Sequence, residues 1–399
     1  VGGPGVDGGL NGLGEPTNAW QQAERLGLVE ASGPGLGFLD DPGPLLGAAV
    51  RGGLSSIVLR LDWARLEPRE GWIDDAAMAH YAAVVEAAAE RDLGVIASLG
   101  DGCLPAWLGA EGWLLPATPE RYGRLALAVI DALGDRIEGL VTFEAPARLA
   151  CAGWLVGAAP PFRRLALLDA LAALDGMLSG HLLAADAVAG RRGQLERGLL
   201  SSGGALGELE AALLGADDLA LPAGIAALLR SQAPGRAGAL AAASDAPFGT
   251  MAWLRLGRPA GPSSAPAARV LALLEAGPVP EPPEIERRLE RLGARRGVVA
   301  TSVCASRVVA QIDAEGRRTR GCPSSPGSAA SVPSLRSLEP GVHGLRRVVA
   351  GELVDRWVLG STREREGLVG IDRNRGDGGA RLMATDAAGR DALGLLRGG

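Results

Sequence analysis

The sequence predicts one (β/α)8 barrel spanning residues 1–399, on three observations. Short β-branched runs alternate with helix-length segments, which implies βα units and a parallel sheet. The strands number seven, or eight if one is assigned near the N-terminus, and that is the number a closed barrel needs. The competing doubly wound sheet would carry a glycine-rich phosphate loop after its first strand, and no GxGxxG or GxxxxGKS/T stretch is found there.

The elements follow in chain order. Ser56 to Leu61 is a β-branched run after a Gly-Gly turn, and Asp75 to Asp92 reads as a helix with Ala and Glu at helical spacing. Gly94 to Leu99 is a second buried strand. Thr118 to Leu133 is a helix that Thr118 is expected to cap and Gly134 to end. Leu140 to Phe143 is a third strand, and Phe162 to Ala189 a long Leu/Ala helix. Weaker strands are expected at Arg197 to Leu200 and Ala246 to Trp253. Glu284 to Leu292 is helical after Pro282-Pro283, Gly297 to Ser302 is a clear strand, and Leu345 to Val349 is the last. Two stretches, 258–268 and 317–340, are rich in Pro, Gly and Ser and are expected to be irregular loops. No fixed-period repeat is present.

Composition bounds the function. With 47% hydrophobic residues the chain can bury a sizeable core. Gly numbers 60 of 399, about twice the usual 7%, without a collagen period. Every basic residue except histidine is arginine. Forty Arg against 46 Asp+Glu gives a net charge of -6, with no basic cluster beyond pairs such as Arg191-Arg192, so no nucleic-acid partner is expected. No run of 18 uncharged apolar residues is present, so no membrane partner is expected. The first residues show neither the charged nor the apolar region of a signal peptide. Cys103, Cys151, Cys304 and Cys322 are widely spaced, without a CxxC or Cys/His zinc pattern. The expectation is reduced thiols in a cytoplasm, no metal and no cofactor.

Three segments resemble glycoside hydrolase family 1, the β-glucosidase family. Arg60 to Pro68, with Trp63, Arg65 and Gly71, is similar to the family's R-x-S-x-x-W-x-R-x-x-P-x-x-G after its second strand. Ser98 to Leu108, with Pro105 and Trp107 followed by Gly112-Trp113, is similar to T-L-x-H-W/F-x-x-P-x-W and G-W. Asp135-Arg136-Ile137, Thr142 to Pro146, then Gly153-Trp154 and Gly157, resemble D-R-V, T-x-N-E-P and G-Y-x-x-G. A weaker likeness covers Gly344 to Asp372, and residues 160 to 290 barely align.

The resemblance implies a retaining barrel, in which one carboxyl protonates the leaving oxygen and a second attacks the anomeric carbon. At the positions that the motifs match, this chain departs. Ala145 stands at the acid of N-E-P, and Glu144 replaces the Asn that holds the sugar 2-hydroxyl. Ser302 falls where the nucleophile of T-E-N-G belongs, and Asp101 replaces the sugar-holding His. The F-E-W platform falls near Trp357-Val358-Leu359 and lacks its Glu. An alanine transfers no proton, and a serine hydroxyl without a base is a poor nucleophile toward an acetal. General acid help is worth about 10²–10⁴-fold, so the ordinary mechanism is expected to be lost.

What remains is Arg60 with three acids, Asp62, Asp101 and Glu144, all expected at one barrel rim. Glu144 and Asp101 are the candidate acid/base pair, and as neighbours one would have a raised pKa. The plainer alternative makes Glu144 a structural partner of Arg60. Arg60, Asp62, Trp154 and Trp357 are the candidate ligand-binding residues, while Trp63 and Trp107 are expected in the core. His80, His181 and His343 lie away from Cys304, so no Cys/His dyad is expected. Arg363, Arg365 and Arg373 read as a solvated surface. The function expected is binding or transformation of a sugar-like or polycyclic small molecule by other acid/base chemistry. The alternatives are a non-catalytic scaffold and a divergent glycosidase with an acid from an unaligned loop.

Overall fold

The computed structural model describes residues 14, 18–29, 37–38, 40–100, 104–215 and 235–251, and positions 270–271, 274, 287–288 and 292. It also gives the backbone of strands at 252–255, 297–300, 307–308, 311–312, 318–319, 345–349, 364–365, 371–372 and 381–382.

Seven strands form one sheet: β1 (Ser56–Arg60), β2 (Gly94–Ser98), β3 (Gly139–Glu144), β4 (Glu196–Leu200), β5 (Ala252–Arg255), β6 (Gly297–Ala300) and β7 (Leu345–Val349). Each pairs in parallel with the next, so sheet order equals chain order. That order has no reversal point, which excludes the doubly wound sheet and is the strand order of a (β/α)8 barrel, seven of whose strands lie among the described residues. Expectations at Ala246 to Met251 and Phe162 to Ala166 are corrected. Residues before β5 form a turn closed by Gly249, at φ +92°, whose N–H donates to Ala246 O. The long helix begins only at Leu167, because Phe162 and Leu165 take left-handed backbone angles that no helix accommodates. In the stretch 317–340, Arg318–Thr319 pair antiparallel with Gln311–Ile312. Loop 258–268 lies outside the described residues, as does most of the helix expected at 284–292.

The strands alternate as a barrel requires. Ile57, Leu59, Val95, Ala97 and Leu199 face the outer helices. Val58, Ile96, Val141, Leu200 and Met251 form a separate apolar cluster, the plug of the barrel interior. Outside β1–β3, Trp63, Trp107, Trp113, Tyr122 and Phe143 pack edge to face, with centroids 5.3 Å apart for the closest pairs. Thr118 does not cap the helix Thr118–Leu133; Ala117 is the cap residue, and the Thr118 hydroxyl donates instead to Gly112 O at 2.6 Å. Gly134 does end that helix, its N–H donating to Ile130 O.

The helix Leu167–Arg191 packs across this aromatic group. It is long and apolar enough to cross a membrane, at mean hydropathy 1.3, yet 67% of that window is buried inside the protein. Gly176 and Gly180 give it a smooth face: a Cβ on Gly176 would overlap the Trp113 carbonyl, and one on Gly180 would press on Trp113 and Tyr122. Two effects compete in Gly176→Ala. Helix propensity favours Ala by about 1 kcal/mol. Overpacking against a backbone atom costs about 1–3 kcal/mol or more. The expected outcome is a net loss of about 1–2 kcal/mol by chemical denaturation; a stabilised Gly176→Ala would show that the helix is not seated on the Trp113 backbone.

Candidate functional site

A bulge in β3 creates the site. Val141 pairs with Gly198 and Phe143 with Leu199, so β3 carries one extra residue, Thr142, relative to β4. Val141 faces the barrel interior, whereas Phe143 packs on Trp113 and Tyr122 outside. Strict alternation from Val141 would send Glu144 outward. The extra residue restores the phase, and Glu144 points inward beside Arg60 and Ser98.

These three side chains come from the C-terminal ends of three successive strands. Arg60 Nε donates to Glu144 Oε1 at 3.1 Å and Oε2 at 3.2 Å, and Nη2 donates to Oε2 at 3.1 Å. The Ser98 hydroxyl donates to Oε1 at 2.6 Å. Glu144 is 4% exposed and the Arg60 side chain 13% exposed. A carboxylate buried this deeply needs its cation, and the fork geometry supplies more than a point charge would. Chemically, the pair makes a polar floor on the apolar plug. Glu144 accepts from three donor groups, Arg60 Nε, Arg60 Nη2 and the Ser98 hydroxyl.

The turn after β3 is strained. Ala145 is buried in the left-handed region, at φ 46° and ψ 56°, which costs a non-glycine residue of order 1–2 kcal/mol. Its N–H donates to Leu200 O at 2.7 Å, and Pro146 then opens the short helix Pro146–Ala150.

Two buried titratable groups escaped the sequence reading as parts of this region. Glu210, in the helix Gly204–Leu213, is fully buried. Its Oε1 accepts from Ala147 N at 2.9 Å and the Ser202 hydroxyl at 2.6 Å; its Oε2 accepts from Ser202 N at 2.8 Å and the Ser201 hydroxyl at 2.7 Å. Burial pushes its carboxyl above the ordinary range, and the hydroxyl and amide donors oppose that. Enclosed and fully accepted, it is a brace and not the substitute acid of a divergent glycosidase. Its signal in the sequence is a Glu between Leu206 and Leu213 at i+4 and i+7, on the buried face of its helix. Asp175 is likewise buried on the long helix, where it accepts from Ala237 N at 3.1 Å and ties in the helix Arg236–Ala242.

His181 joins three segments. Burial holds its pKa down to about 4, so the ring is neutral. Nε2 lies 2.9 Å from Pro247 O and Nδ1 2.6 Å from Thr142 Oγ1. A neutral ring beside a carbonyl places its proton on Nε2, so Nδ1 is an acceptor, and the single Thr142 hydroxyl proton is shared between Nδ1 and Gly198 O at 3.0 Å.

The remaining expected residues are placed as follows. Asp62 is buried and caps the helix Trp63–Leu66: Oδ1 accepts from Ala64 N at 2.9 Å, and Oδ2 from Asn18 Nδ2 at 3.4 Å. Trp154 lies in the core at 2% exposure, in a π-helical turn (Cys151–Val156), and its indole N–H lacks a hydrogen-bond partner among the described residues. Its ring is therefore not a wall open to solvent. Trp63 and Trp113 are buried and Trp107 partly so, with Trp63 Nε1 donating to Glu67 and Trp107 Nε1 to Glu67 O. Asp101, Ser302, Cys304 and Trp357 lie outside the described residues. Among the described residues no His/Cys/Asp/Glu group is arranged to hold a metal.

No family model matches the sequence. No curated protein matches it in sequence either. In structure it is similar to a β-glucosidase from Thermotoga maritima in complex with noeuromycin, at TM-score 0.73 and 14% identity, over 100% of this chain and 95% of that one. The same enzyme in complex with deoxynojirimycin gives TM-score 0.74 at 14% identity, with the same coverage. A further structure, described as a family 1 β-glucosidase from that organism, gives 0.73 over 99% of this chain and 94% of that one. At this identity the likeness shows the fold, and the chain has the barrel fold of family 1 β-glucosidases.

The His181 arrangement has a pH signature. Below the ordinary imidazole value near 6.5 the unfolded chain binds a proton that the folded chain refuses, so stability falls as pH drops from about 6.5 to about 4. The window of about 2.5 units corresponds to about 3 kcal/mol. In denaturant melts across pH 4–7, the wild type should lose about 3 kcal/mol more stability between pH 7 and pH 4 than His181→Gln does. Parallel curves would contradict a buried neutral imidazole.

Proposed function

We propose that this barrel does not cleave glycosides by double displacement and instead binds a sugar-like small molecule over the Arg60–Glu144 floor. One observation carries the reading. Where the resemblance calls for an acid, the turn holds Ala145, and its neighbour Glu144 is committed to the Arg60 guanidinium and the Ser98 hydroxyl. A carboxylate whose two oxygens already accept from a guanidinium and a hydroxyl is poorly placed to hand a proton to a leaving group. The ligand class is supported by the sugar-like inhibitors noeuromycin and deoxynojirimycin, which the neighbouring Thermotoga maritima enzyme binds. We read residues 1–399 as one barrel unit, because the structural likeness runs over 99–100% of the chain. A reducing, cytoplasmic setting is proposed from the wide spacing of the four cysteines in the sequence. A non-catalytic binding role is favoured over new acid/base chemistry by that same committed state of Glu144.

The test uses an aryl β-glucoside and deoxynojirimycin. The expected result is no turnover above the buffer rate, with calorimetric binding of deoxynojirimycin that weakens at least tenfold in Glu144→Gln. Appreciable turnover of the glucoside would reject the loss of mechanism. Absence of binding to the wild type would reject the sugar-like ligand.

A further inference from the structure

The geometry points to Glu210 as a positioning residue for the Arg60–Glu144 pair: it clamps the turn after β3 in its left-handed form and so holds Glu144 on Arg60. The inference takes its functional meaning from the ligand floor proposed above, but its test reads the pair directly and needs no ligand.

The connection is continuous and short. Glu144 is the last residue of β3, and Ala145 follows in a conformation that its Cβ disfavours. Something must hold it there. On one side, Ala145 N–H is fixed to Leu200 O at the end of β4. On the other side, Ala147 N–H is fixed to Glu210 Oε1. Glu210 is itself anchored to β4's continuation through Ser202 N–H and both serine hydroxyls. The Ser202 hydroxyl oxygen also accepts from Arg148 N at 3.2 Å, a second tie to the same helix. The carboxylate thus joins the chain after β3 to the chain after β4, with the strained residue between the two fixed points. Released from the clamp, alanine relaxes toward an ordinary backbone conformation, and the Cα–Cβ direction of Glu144 turns with it.

Glutamine is the sharp substitution. All four of Glu210's hydrogen bonds are accepted, and two come from backbone N–H groups that cannot reverse, one on each oxygen. Wherever the amide NH2 of Glu210→Gln sits, it opposes one of them. Ala145→Gly is the complement, because glycine takes the left-handed form without strain and needs no clamp.

The measurement is hydrogen exchange by NMR of the full chain. It follows Arg60 Nε–H, assigned by its loss in Arg60→Gln, beside the core amide of Val129 as a reporter of global opening. Glu210→Gln is expected to speed Arg60 Nε–H exchange at least tenfold relative to Val129. Adding Ala145→Gly is expected to bring it back to within about twofold of the wild type. If Glu210→Gln does not fold, Ser202→Ala, which removes one donor to Oε1 and the Arg148 tie, is expected to speed the same exchange at least threefold. Equal acceleration at Arg60 and Val129 would make Glu210 a general structural brace and overturn the inference. Failure of Ala145→Gly to restore Arg60 in either background would overturn it as well. A Glu210 variant with normal Arg60 exchange that nevertheless fails to bind deoxynojirimycin would count against this inference and leave the ligand reading standing.

Discussion

The strand ends are organised around one ion pair. Arg60 and Glu144 come from β1 and β3, with Ser98 of the intervening β2 bonded to the same carboxylate. Three strands of a parallel sheet are thereby tied at the face where barrels carry their sites. Removing two charges from water costs several kcal/mol each, and only good geometry with further hydrogen bonds offsets that. Here the guanidinium meets both oxygens and a hydroxyl takes a further lone pair. The pair can exist only because the bulge at Thr142 rotates Glu144 back into the barrel.

The outer layer makes that bulge affordable. Thr142, the extra residue, does not dangle: its hydroxyl bonds to His181, whose other nitrogen holds Pro247 O on the approach to β5. Phe143, turned outward by the same bulge, fills the cluster of Trp113 and Tyr122, against which the glycine face of the long helix lies. A polar decision inside the barrel is thus supported by apolar packing outside it. The buried histidine and the buried Glu210 both hold the C-terminal half of β3, one at its bulge and one just past its last residue.

Much of this frame was legible in the sequence. The β-branched runs at 56–60, 94–98 and 345–349 and the helix at 118–133 lie where their patterns place them, because burial on one or both faces dictates those residue types. Failures occurred where tertiary contacts override local signals. Thr118 reads as a cap but donates to Gly112 O. Phe162 to Ala166 read as the start of the long helix, yet Phe162 and Leu165 are left-handed and Leu165 is largely exposed. At the site, the sequence supplied Arg60 and Glu144 and offered their pairing as the plainer alternative, which the structure bears out, but it could not decide that pairing against a catalytic Glu144. An extra residue in a strand leaves no mark in a hydrophobic pattern, and the bulge is what decides the partner. Asp62 looked like a rim acid and is a helix cap, a role its position before Trp63–Leu66 permits equally well. Glu210 and Asp175 sit on buried helix faces in the third of the chain where the family likeness fades.

The most direct test is a double-mutant cycle on the pair itself, with Arg60→Met, Glu144→Leu and the combination measured by denaturant unfolding. If the buried pair organises the strand ends, each single change strands a charge and loses about 3–5 kcal/mol. The double change then loses clearly less than the sum, with a coupling of about 2 kcal/mol or more. Losses that add to within about 0.5 kcal/mol would mean that Arg60 and Glu144 do not depend on one another, and the account of the site would fail.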